Sequence, residues 1–198
     1  MDKSKQEFVA VARRNWKLVL GLGVLGLFVA VLLVIGGAAG LAWTSTEQFC
    51  IGCHEMRDNV YAEYKDTVHD RNRTGVRAVC TDCHVPREVG PLLLRKMAAT
   101  FELYGHMTGV IDTKEKFEAH RTAMAHKVWK RMLETDSHEC RNCHKFDNMD
   151  KDKQSEKARA RHAKAKAEGS TCIECHFGIA HKEPEGPGPQ EMKASLTK

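Results

Sequence analysis

The sequence predicts a mainly α-helical protein: one membrane-spanning helix near the N-terminus, then a small polar domain built around groups other than its own side chains. Three observations predict it. Residues 18–43 are an apolar run of 26 residues without one charge. Beyond them, Leu, Ile, Val and Phe supply 23 of 155 residues, or 15%, below the roughly 20% at which a chain loses the means to bury a core. All eight cysteines, finally, fall into four copies of one five-residue pattern.

The anchor is read from length and charge. A helix rising 1.5 Å per residue crosses the roughly 30 Å hydrocarbon core with some tilt when it runs from Leu18 to Trp43. Lys3, Lys5, Arg13, Arg14 and Lys17 precede it and Glu47 is the first charge after it, so the positive-inside rule leaves residues 1–17 in the cytoplasm. Trp16 and Trp43 mark the two interfaces. A cleaved signal peptide is the rival, with Ala39-Gly40-Leu41-Ala42 as a cleavage-like site, but its apolar region would be only about 7–15 residues long. An uncleaved single-pass anchor in a bacterial cytoplasmic (inner) membrane is expected, with residues 44–182 as a periplasmic domain and 183–198 as a polar tail. Net charge beyond residue 43 is about +2, which together with the anchor excludes nucleic acid as a partner.

The repeated pattern is Cys50-Ile51-Gly52-Cys53-His54, Cys80-Thr81-Asp82-Cys83-His84, Cys140-Arg141-Asn142-Cys143-His144 and Cys172-Ile173-Glu174-Cys175-His176. Two thiols three positions apart add to the two vinyl groups of one haem, and the next residue is a histidine held against the iron. Redox dithiols, four-cysteine zinc sites and disulfide frameworks place no demand on the residue after the second cysteine. With 11 histidines in 198 residues, four coincidences would arise about once in 10^5 chains. Four covalently bound haem c groups are therefore expected, and they supply the apolar surface that the side chains lack. Haem attachment takes place outside the cytoplasmic membrane, in agreement with the charge-derived topology.

The first cysteines stand at 50, 80, 140 and 172, which predicts two dihaem units joined by a longer connection. His69 lies 11 residues before Cys80 and His162 lies 10 before Cys172, so each unit carries a non-motif histidine at nearly the same place. Both are candidate sixth ligands to iron. His181, five past His176, is a third, whereas the first unit has Val89 at the matching position and instead carries Met56 two past His54. Met56 is a candidate soft ligand, or a core methionine on the ring. An incompletely ligated first iron would leave an open face near which a substrate could bind.

The connection reads as two helices. Residues 93, 94, 97, 101 and 104 recur at helical spacing within 92–108, and Asp112 with Glu115 resembles a capping box for a helix to about Glu134. Phe117, His120, Met124, Val128 and Met132 would make its buried stripe, with His120 a packing residue rather than a ligand. His106, His126 and His138 are expected to be neither. Lys151 to Glu168 reads as a solvated helix stopped by Gly169.

The chain resembles the NapC/NirT family of membrane quinol dehydrogenases from the anchor to His181. The specific pieces are the Cys50-to-Met56 run, Arg95-Lys96, Glu102-Leu103-Tyr104-Gly105, Phe117-Glu118-Ala119-His120-Arg121 and Ser137 to His144. The resemblance implies that quinol, menaquinol or ubiquinol, from the membrane pool is oxidised beside the first haem. Electrons then pass along the haems to a periplasmic terminal reductase or soluble cytochrome. It further implies that Met56 ligates the first iron, that Lys96 reaches the quinol, and that a nearby acid, Glu102 or secondly Asp112, assists proton removal. Some nitrate-reductase members complete the first haem with a histidine three residues after the second motif; Arg87 stands there in this chain, which leans toward the nitrite-reductase, NirT or trimethylamine-oxide types.

Two other readings are weighed against a quinol dehydrogenase. One is an anchored electron-transfer subunit with no quinol site of its own, which would need neither Lys96 nor an unfilled first haem. The other, reduction of a small molecule such as nitrite at the open haem, lacks the Arg/His/Tyr set that would bind such a substrate. The sequence holds no Gly-rich phosphate loop, nucleophile motif or flavin fingerprint.

Overall fold

A computed structural model of the chain describes Glu7, Ala10 and residues 13–196; Lys3 and Lys5, which entered the topology argument, lie outside the described residues. The chain divides into two compact units, Met1–Thr44 and Ser45–Lys198. The first holds helix α1, Trp16–Trp43, 28 residues long and thus about 42 Å. Its best window has mean hydropathy 3.1 and no part of it is buried within the protein. It is apolar on every side, as lipid requires and water does not tolerate.

The second unit is helical, with no strand among the described residues. In chain order it comprises α2 (Glu47–Cys50), a π-helical segment (Met56–Tyr61) that runs into α3 (Ala62–Tyr64), α4 (Cys80–His84), α5 (Val89–Met107), α6 (Lys114–Glu134) and α7 (His138–Arg141). Then come α8 (Glu156–Glu168), a single 3-10 turn (Cys172–Glu174) and α9 (Pro189–Leu196). Local chemistry sets most of these limits. Ser155 accepts from the Ala158 N–H at 3.2 Å and starts α8, and Gly169, at φ +65°, ends it in the left-handed region that glycine enters without strain.

Two expectations about α6 need correction. Its N-cap is Thr113, whose hydroxyl accepts from Lys116 N–H, not Asp112. The Asp112 carboxylate instead takes the Lys116 ammonium at 2.7 Å, a partner that a side chain one residue further back reaches more easily than the backbone. His120 is exposed, with Nδ1 donating to the Lys116 carbonyl. The buried line runs through Phe117, Arg121, Trp129 and Met132, four residues apart at its start, so the face turns away from position 120.

Buried hydrophobic residues among those described are Tyr64, Phe117, Trp129, Met132 and Ile173, as sparse a core as the composition foretold. Trp129, Met132 and Ile173 pack together with Phe177 and Met192 against them, and Trp129 meets Phe177 edge to face at 5.7 Å. This cluster ties α6 to the fourth motif and to α9. The segment 183–198, expected as a polar tail, thus carries a helix that folds back onto the domain, its Lys193 paired with Glu174 at 2.7 Å.

Candidate metal centres

Each motif begins on or forms one short helical turn. Thr46 caps α2 through the Phe49 N–H; the Asp82 carboxylate accepts from Val79 N–H at 2.9 Å before α4; Glu174 does the same for Thr171 N–H at 2.7 Å. A helical turn places residues three apart on one side, which is what two thiols bridging a single porphyrin require. Motif neighbours in sequence are neighbours in space: α2 packs on α4 and α4 on α7. The third and fourth are joined by Ser137, whose hydroxyl lies 2.5 Å from that of Thr171 and accepts the Ile173 N–H. Cys50 hydrogen-bonds Cys80, which with Lys96 and Arg95 nearby brings its free thiol down to about 7; the attachment points of the first two motifs therefore touch.

Every motif histidine faces one other histidine. Ring centres are 6.1 Å apart for His84 and His181, 6.1 Å for His69 and His144, 6.0 Å for His162 and His176, and 6.3 Å for His54 and His106. The first two pairs cross between the units: His69 of the first faces the third motif, and His181 of the second faces the second motif. The second ring nitrogen is held in two of these partners, while His69 Nδ1 is buried without a hydrogen-bond partner. His181 Nδ1 donates to the Val60 carbonyl at 3.1 Å, and His162 Nδ1 meets Gln154 Oε1 at 2.8 Å, leaving Nε2 available in each. Burial pushes His84 down to about 3, with His181, Arg131 and Arg95 adding to it, and lowers His181 and His69. These rings are neutral at neutral pH, the form that binds a metal.

The residues fit a bis-histidine haem c at each motif. Imidazoles on opposite sides of one metal ion, with metal–nitrogen bonds of about 2 Å, have ring centres roughly 6 Å apart. Arg131 buries Nε and one terminal nitrogen without a hydrogen-bond partner, and burial followed by Arg95 lowers its pKa. Such a guanidinium suits the propionates a haem carries. Beside His162 a cleft of about 530 Å³ is lined by Phe146, Met149, Gln154 and Lys166, apolar ring surface edged by a cation.

Around the first motif, Lys96 is half-buried on α5, its pKa lowered by burial against the opposing influence of Cys50. Glu102, two turns on, pairs with Arg95 at 3.0 Å rather than with Lys96. Met56 opens the π-helical segment, half-buried; such segments recur at functional sites because the extra residue re-aims its neighbours. Sequence reasoning passed over Glu55 and took His106 to be neither a ligand nor a packing residue. Glu55 is 2% exposed and its Oε1 lies 2.6 Å from His106 Nδ1. Burial raises its pKa, but His106 and the backbone outweigh that and hold it below the usual carboxylate range. His106 has no counterpart in the 30-residue repeat, and only the chain's return along α5 brings it to His54.

Residues 12–186 match the model of the NapC/NirT cytochrome c family, N-terminal region. The chain belongs to that family. Cytochrome c-type protein NapC of Escherichia coli K12 is 51% identical over 181 residues, 87% of this chain and 90% of NapC. The denitrification system component NirT of Stutzerimonas stutzeri is 51% identical over 166 residues, 84% of this chain and 83% of NirT. A tetraheme cytochrome-c type protein of Allochromatium vinosum is 48% identical over 176 residues, 89% of this chain and 94% of that protein. NapC and NirT relatives stand equally near, so identity does not set the chain apart from the nitrate-reductase type as Arg87 suggested. No solved structure matches. As a NapC/NirT cytochrome with one long apolar helix, this is a membrane-anchored redox protein with covalently bound haem c, and the family's members serve electron transfer to periplasmic reductases.

Proposed function

We propose that the chain is a quinol dehydrogenase that oxidises membrane quinol beside the first motif and sends electrons through four haem c groups to a periplasmic terminal reductase. The placement of Lys96 beside Cys50 carries the reading. An ammonium close to the first haem's attachment point favours the deprotonated quinol, from which electrons leave more readily, and a carboxylate one helix face away takes the released proton. Glu102, 64% exposed on its side chain and steadied by Arg95, is placed for that task; Asp112, tied to Lys116, is the second choice. The α5 face around them is apolar and open to solvent at Leu94, Met97, Phe101 and Tyr104, which suits a helix lying at a bilayer surface where quinol is dissolved. His54, His84, His144 and His176 would bind iron from one side. His181, His69 and His162 would complete the second, third and fourth sites in that order, by the ring pairs above. Contact between successive motifs gives a path in chain order from the first site to the fourth.

Lys96→Leu tests the reading. Four haems and the dithionite-reduced spectrum should persist while quinol-driven reduction falls about tenfold or more, equivalent to about 1.4 kcal/mol on the barrier. Reduction at the wild-type rate would instead favour an anchored electron carrier without its own quinol site.

A further inference from the structure

Three of the four facing histidine pairs involve candidate ligands that the sequence offers, His69 and His162 from the repeat and His181 from its closeness to the last motif; the fourth, His54 with His106, does not. Its ring centres are 6.3 Å apart, within 0.3 Å of the other three pairs. His106 shares a second feature with His181 and His162, because its Nδ1 is engaged by a fixed acceptor, Glu55 Oε1 at 2.6 Å, so that Nε2 is the nitrogen left for a metal. The acceptor is unusual. Glu55 has a side chain 1% exposed, adjoins His54 in sequence, and places the same Oε1 3.7 Å from His54 Nε2. A buried carboxylate costs several kcal/mol unless it is bound, and a histidine that it holds in one tautomer and orientation is what it has been bound to here. Cys53 Sγ, Glu55 and His106 also offer ligand atoms within 4.8 Å of one another, but the Cys53 thiol is committed to a thioether bond, which removes it from any small-ion site.

We propose that His106 is the second axial ligand of the haem attached at Cys50 and Cys53, opposite His54, and that Glu55 is the positioning residue that orients it. The inference rests on the first motif carrying haem c. It replaces Met56 as the expected ligand and closes the face that the sequence left open. Two consequences follow. A carboxylate on Nδ1 makes the imidazole a stronger donor, which stabilises the ferric state and lowers this haem's potential relative to an imidazole bonded to a carbonyl. Quinol would also give up its electrons at the ring edge rather than by binding to iron, so an iron-bound small-molecule substrate has no place at this site.

The experiment uses the full-length protein in detergent, with mass measurement establishing four haems per chain in each variant before any spectrum is read. Near-infrared magnetic circular dichroism and electron paramagnetic resonance of the oxidised wild type should show four bis-histidine low-spin haems, unchanged in Met56→Leu. His106→Gly should convert one haem of the four to a high-spin or methionine-bound form, and added imidazole should restore the bis-histidine signal. Glu55→Gln should keep four low-spin haems and raise the midpoint potential of one. A methionine-bound or high-spin haem in the wild type overturns the proposal, and so does a His106→Gly protein whose spectra match wild type. The wild-type and Met56→Leu spectra keep the proposal open to refutation even if His106→Gly fails to fold. Fewer than four haems in the wild type would refute the haem reading itself, and quinol-driven rates do not enter.

Discussion

Replacing Arg121 with alanine should loosen the grip on the second haem site from a distance. The Arg121 guanidinium, with a side chain 8% exposed, donates to Glu63 through both terminal nitrogens at 3.0 and 2.6 Å and to Glu118 at 2.7 and 2.8 Å. It also lies over Phe117, 5.2 Å from the ring centre. Glu63 in turn accepts the backbone N–H of Lys182 at 3.0 Å, the residue next to His181. Removing one partner of a buried pair costs about 3–5 kcal/mol, because the other charge is stranded. Glu63 and Glu118 keep side-chain exposures of 24% and 37% and can regain water, so the cost falls at or below the low end of that range, about 2–3 kcal/mol. For a domain of this size that lowers the melting midpoint by about 4–12 °C. Thermal unfolding followed in the Soret region gives the midpoint, and spin state below the transition reports whether His181, the ligand proposed for the second iron, has left it. Arg121→Lys, which keeps charge but not the two-pronged geometry, should fall between the two. A melting point within 1 °C of wild type with an unaltered spin state would refute the reasoning.

The ring pairs make His181→Ala, His69→Ala and His162→Ala each convert one haem to high-spin, those of the second, third and fourth motifs respectively, with no covalent haem lost; resonance Raman of single variants checks the order. Ser137→Ala leaves the Thr171 hydroxyl and Ile173 N–H without their shared buried partner and should cost about 1–3 kcal/mol in denaturant unfolding. Protease added to intact spheroplasts should remove the haem-bearing part and leave a short membrane peptide; protection of that part would refute the topology.

What the sequence revealed follows the reach of the forces involved. The anchor depends on the apolar character of a continuous run and the end of α8 on a glycine, so both were legible; the anchor starts two residues earlier than read, at Trp16, and the helix starts at Glu156 behind its Ser155 cap rather than at Lys151. The motifs were legible because five consecutive residues carry the whole pattern. Cap choice at Asp112 or Thr113 turned on which group Lys116 would bind, and two chemically similar acceptors one residue apart do not announce that. His106 was missed because it reaches His54 only through the fold: 52 positions separate them, and nothing local marks a histidine in the last turn of α5. The crossed pairs were hidden for the same reason. A repeat shows that two halves are alike, not that a histidine of each faces a motif of the other.

With the ligand pairing proposed above, that crossing sets a clock on assembly. The chain emerges N-terminus first, at about 5–20 residues per second during synthesis. His181 lies about a hundred residues after the second motif's cysteines, so with the pairing proposed above, the second iron waits on the order of 5–20 s for its ligand. Through that interval it would stand exposed to any thiol or small oxyanion in solution. A nascent chain stalled before residue 181 would therefore be a ligand trap, not a shortened electron carrier.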